Sequence, residues 1–168
     1  MKMKKIVFCF VLIAGIVMSL SSCLGLMSKT HKLVVDKNVS ADQTVTVTFV
    51  NETMRGWFSL KQWNNKDIED ELYGSKGTSS NDKVKLTVPA GNNSFTFNAY
   101  YTFSNQYSST TRTFKGIELR YNLEHGREYQ IRGIIKSLGL FKGYELFVGI
   151  FDVTGSDKLL KEWKLGES

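Results

Sequence analysis

Four kinds of side chain in this 168-residue sequence could do chemistry. Sulfur comes first, as Cys9 and Cys23. An ionised thiol is a nucleophile, but Cys9 lies inside the apolar run Ile6–Leu20, which leaves Cys23 as the candidate. Carboxylates cluster once, at Asp67, Glu69, Asp70 and Glu71. Calcium takes such oxygen ligands, yet the segment lacks the spacing of a calcium hand, and Lys66 precedes it. The acids suit the first turn of a short helix, where the macrodipole favours negative charge. A glycosidase would need two carboxyls facing across a cleft. His31 and His125 show no zinc or triad spacing, and His125 reads as a solvated turn residue. The sequence also has no Gly-x-Ser-x-Gly elbow and no phosphate-cradling glycine loop. Aromatic residues are the fourth kind. Trp57, Trp63, Tyr100 and Tyr107, with amides Asn92, Asn93 and Asn105, could form a platform on which sugar rings or peptide side chains stack. Equal parity would put Trp57 and Trp63 on one strand face. The competing reading is that tryptophans fill the core.

The surroundings of Cys23 give it a more specific meaning. Lys2, Lys4 and Lys5 form a basic start without acids, Ile6–Leu20 is free of charge, and Leu20-Ser21-Ser22-Cys23 follows. That arrangement is a secretory signal, and its last four residues resemble the lipobox of bacterial lipoproteins. The resemblance implies diacylglycerol on the Cys23 sulfur and cleavage just before Cys23. Leu20, Ser21 and Ser22 would be read by the lipoprotein signal peptidase, Leu20 in an apolar subsite and the serines as small residues. It also implies a membrane as partner through that lipid. Leu24, rather than an aspartate, follows the cysteine and favours the outer membrane over the inner. The alternative, an uncleaved transmembrane helix, needs about 20 apolar residues. Reaching that length means counting through Ser21 and Ser22 to Met27.

The expected organisation is therefore a leader at 1–22, a lipidated tether at 23–32 and one domain at 33–168. Removing the leader leaves 146 residues, a one-domain size. It also lowers the net charge from +6 to +3, too little and too scattered to argue for nucleic acid. Beyond the anchor no cysteine remains for a disulfide or for thiol catalysis. No cofactor is expected.

Period-two patterning dominates this domain. Thr44–Val50 puts Val45, Val47 and Phe49 on one face and threonines on the other. Lys83–Val88 repeats the pattern with Val84, Leu86 and Val88, and Ser94–Phe103 with Phe95, Phe97, Ala99, Tyr101 and Phe103. With the turn at Pro89–Gly91, these last two read as a hairpin. Further strands are expected at Leu33–Asp36, Gly56–Trp63, Gly116–Asn122, Glu128–Ile135 and Tyr144–Val153, the last covered on both faces. A short helix is expected at Asp67–Tyr73 and a helical turn at Lys158–Leu165, where Leu159, Leu160 and Trp163 alternate with lysines. Gly74–Asn81 and Ser104–Thr113 read as loops. The fold class is all-β: one sandwich of seven or eight strands, immunoglobulin-like or related, with a closed barrel as the alternative.

Gly126 and Tyr129, in Leu123–Ile131, resemble the tyrosine corner of immunoglobulin-like sandwiches, although two residues separate them rather than one. The region Lys83–Ile135 is loosely similar to small sandwich domains of bacterial surface lipoproteins. The functional expectation is a lipid-anchored, non-catalytic binding or structural module of the cell envelope, its partner an envelope protein or a glycan. A glycan-binding adhesin is the first alternative and a carboxylate hydrolase the second.

Overall fold

Alternation of β-branched and aromatic residues with polar ones sets the strands, and the burial follows it residue by residue. The computed structural model describes residues 29–50, 56–74, 82–104, 109–138 and 144–166. The leader, the Leu20–Cys23 box, Asn105 and Tyr107 lie outside the described residues. In chain order the elements are β1 (Thr30–Val34), β2 (Thr44–Val50), β3 (Gly56–Trp63), β4 (Lys66–Asp67), α1 (Glu69–Tyr73), β5 (Lys83–Pro89), β6 (Gly91–Ser104), β7 (Ser109–Leu123), β8 (Glu128–Ser137), β9 (Tyr144–Asp152) and β10 (Lys158–Lys164).

The strands make two open sheets packed face to face, one of six in the order β1-β5-β2-β8-β9-β10 and one of four in the order β4-β3-β6-β7. The closed barrel is thereby excluded, and the described residues hold ten strands where seven or eight were expected. Strand β1 runs parallel to β5, and β2 parallel to β8, while the other pairings are antiparallel.

The core lies between the sheets. From the six-stranded side come Val45, Val47, Phe49, Val84, Leu86, Val88, Ile131, Val148 and Ile150, all at most 2% exposed. Phe58, Leu60, Phe95, Phe97, Ala99, Tyr101 and Leu119 meet them from the four-stranded side. Phe49 is central, with edge-to-face contacts to Phe58, Phe95 and Phe97 at 6.5, 5.7 and 5.8 Å between ring centroids. Tyr101 spans the core and donates its phenol hydrogen to the carbonyl of Phe147 at 3.1 Å. Gly133 makes room for that ring, because a Cβ there would stand 2.6 Å from the Tyr101 hydroxyl.

The expected hairpin is not formed. β5 pairs with β1 and β2, whereas β6 pairs with β3 and β7 in the other sheet. The facing of each strand is as read, but their apolar faces meet across the core rather than side by side. A hairpin and a sheet-crossing corner bury the same alternating residues, so periodicity cannot separate them. The expected loop at Ser104–Thr113 is partly strand, since β6 runs to Ser104 and β7 starts at Ser109. The expected turn of helix at Lys158–Leu165 is strand β10, paired antiparallel with β9. A bulge at Leu160 explains the mistaken period. One extra residue puts Leu160 and Trp163 on the same side, a spacing of three that imitates a helix.

The short helix and the interior position of β9 are both found. The expected bond between Tyr129 and upstream backbone is formed as well: the buried Tyr129 hydroxyl accepts the backbone N–H of Glu124 at 2.9 Å. Gly126 takes a φ of 75° in that turn, a conformation glycine adopts without penalty.

Candidate functional site

At the end of the four-stranded sheet, the β3–β4 turn meets the start of β6 and the end of β7. Asn64 and Asn65 form the two-residue turn, with φ of 47° and 65°. Two consecutive left-handed residues are what the tight I′ hairpin demands, and asparagine tolerates that region better than most residues. The turn is tied to β6: Asn64 Oδ1 accepts the Ser94 backbone N–H at 2.8 Å, and Asn64 N–H donates to the Ser94 carbonyl at 2.9 Å. Across the next ladder, Asn92 stands opposite Asn122 and Ser94 opposite Arg120.

These residues enclose a shallow groove of about 510 Å³, lined by Asn64, Asn65, Asn92, Asn93, Ser94, Arg120, Tyr121 and Asn122. Asn93 is its buried floor, 4% exposed. Its Oδ1 accepts the Trp63 indole N–H at 2.7 Å, and its Nδ2 donates to the carbonyls of Pro89 and Gly91 at 2.9 and 3.0 Å. Asn65, Asn92 and Asn122 are exposed. Among the described residues, no side-chain hydrogen bond holds any of these three. Arg120 is engaged by Glu118 through two bonds, at 2.8 and 3.0 Å. Tyr121 stands opposite Asn93, so its half-buried ring lies on the inner face, packed on the core and edge-on to Tyr129 at 6.2 Å. The site thus offers uncharged amides and a guanidinium already matched by a carboxylate.

The aromatic residues expected to share a platform are separated. Trp57 and Trp63 lie on opposite faces of β3, because a bulge at Lys61 inverts the parity between them. Trp63 stands opposite the buried Phe95 and packs against the core. Trp57 stands opposite Tyr100 on the outer face, and their rings stack at 4.7 Å and 9°. Both are half-buried. The pair lies six residues from Ser94 along β6, about 20 Å away. Tyr107 and Asn105 lie outside the described residues.

His31, expected in the tether, is in β1. Its Nε2 lies 3.0 Å from Asp82 Oδ2, its Nδ1 lies 3.1 Å from the Leu72 carbonyl, and its ring is edge-on to Tyr73. It fastens the edge strand to α1 and to the start of β5. His125 is exposed in its turn. The acidic cluster serves α1. Asp67 Oδ1 accepts the Glu69 N–H at 2.9 Å, while Glu69 pairs with Lys61 and Glu71 with Lys66. Among the described residues, no group of three or more His, Cys, Asp or Glu side chains converges as metal ligands would.

Sequence reasoning missed Asn64, Asn65, Arg120, Tyr121 and Asn122 as one site. The Asn-Asn pair between Trp63 and Lys66 is a legible turn signal. Its proximity to Asn122 depends on the β6–β7 register, which a bulge at Gly116 shifts by one residue. The chain matches no known protein family, and no curated protein or solved structure is significantly similar to it.

Proposed function

We propose that this chain is a lipid-anchored, non-catalytic binding module of a bacterial cell envelope. The observation that carries the anchor is the Leu20-Ser21-Ser22-Cys23 box behind a basic start and an apolar run, only seven residues before β1 begins at Thr30. Seven residues reach at most about 25 Å, so the sandwich would stand close to the membrane that holds it. Leu24 favours the outer membrane. The amide groove supports a binding role, because it gathers exposed donors and acceptors on a fixed corner of the sandwich. The Tyr129 corner supports an immunoglobulin-like sandwich. The parallel β1–β5 and β2–β8 pairs are its own variation.

Metabolic labelling with palmitate tests the anchor. The wild-type chain should take up label and Cys23→Ser should not. Equal labelling of both, or none in the wild type, would remove the proposal.

A further inference from the structure

We infer that the groove between the β3–β4 turn and the ends of β6 and β7 binds a neutral oligosaccharide. The inference rests on the binding role proposed above and names its ligand class.

The chemistry of the lining selects the ligand. Asn65, Asn92 and Asn122 each present an amide, which donates through nitrogen and accepts through oxygen at the same point. A sugar hydroxyl also does both, so adjacent hydroxyls of a pyranose can each find a partner on one amide or on neighbouring ones. Asn92 and Asn122 are cross-strand partners, which places two such groups side by side.

Charge decides against acidic sugars. The one cation of the groove, Arg120, is held fork-to-fork by Glu118, so the site presents no unmatched positive charge to a carboxylate or sulfate. Rigidity supports the assignment as well. Asn93 ties Trp63, Pro89 and Gly91 together beneath the groove, and Asn64 ties the turn to Ser94. The exposed amides therefore stand on a fixed floor, which reduces the ordering that binding would otherwise require.

The test is titration calorimetry on the full chain in detergent micelles. The probes are hexasaccharides of glucose, mannose, galactose and N-acetylglucosamine, polygalacturonate as the acidic arm, and a random decapeptide library. At least one neutral hexasaccharide should bind saturably. Asn92→Ala and Asn122→Ala should each weaken it about five- to tenfold, the loss of roughly one hydrogen bond. Thr48→Ala, on the outer face of the other sheet, should leave affinity unchanged. The inference is overturned if no neutral hexasaccharide binds at millimolar concentration, or if both asparagine variants bind as the wild type does. Preference for polygalacturonate, or groove binding by the peptides instead, would overturn it too. Palmitate labelling of the same preparation reports on the anchor separately, so loss of one reading is distinguishable from loss of the other.

Discussion

Asn93 satisfies three groups at the corner where the chain leaves one sheet for the other: the Trp63 indole and the carbonyls of Pro89 and Gly91. An alanine there would leave the indole N–H and two carbonyls without that partner in a buried corner. Asn93→Ala should therefore cost about 2–3 kcal/mol in denaturant melts, and a cost below about 0.5 kcal/mol would contradict the pinning role. Asp152 is a second residue whose surroundings define an outcome. The Thr154 backbone N–H, the Thr154 hydroxyl and then the Arg127 guanidinium hold its carboxyl down to about 2 from an ordinary 3.8. A depressed carboxyl stabilises the fold above its unfolded pKa, and that contribution is lost as pH falls through the folded value. Stability should thus decline between about pH 4 and 2, and Asp152→Asn should lose that part of the decline. Urea melts across this range measure the difference, and parallel wild-type and variant profiles would contradict it. Neither residue's role was legible beforehand. In the sequence Asn93 is one of several amides suited to sugar contact and Asp152 one of many acids, and only the folded strands bring Trp63 to the first and Arg127 to the second.

At the scale of elements, facing was legible and pairing was not. Val84, Leu86 and Val88 in β5, and Phe95, Phe97 and Ala99 in β6, are buried as their alternation requires. The partner of each strand depends on contacts far along the chain, and so the corner at Pro89–Gly91 read as a hairpin. Bulges account for most other differences. Lys61 separates Trp57 from Trp63, Gly116 shifts β7 against β6, and Leu160 makes β10 resemble a helix. Each inserts one residue, and one residue inverts every side chain beyond it. Gly116, at φ of 64°, supplies the left-handed residue such a bulge uses. With Arg112 and Lys115 it also makes the outer edge of β7 unfavourable for pairing with another chain. Facing gives a sharp mutational contrast. Phe97→Ala should cost about 3–5 kcal/mol through the cavity it leaves. Thr96→Ala, on the outer face, should stay within about 0.5 kcal/mol. Equal costs in paired denaturant melts would mean that the two faces of β6 do not differ as described.

For the whole molecule, all-β class and sandwich layering were legible because the apolar positions recur every second residue through most of the domain. The groove was not, since it is assembled from a turn, a strand start and a strand end that only the complete register brings together. The proposed lipid on Cys23 would hold the sandwich, with its polar groove at one corner, only a few residues from a membrane. The proposed function rests first on that anchor. The most direct measurement is the intact mass of the protein extracted from membranes of the cells that make it. A lipid-anchored protein should give a chain that starts at Cys23, lacks residues 1–22 and carries the added mass of diacylglycerol, with or without a further acyl chain. A mass equal to the unmodified chain from Met1, or to a cleaved chain without lipid, would contradict it.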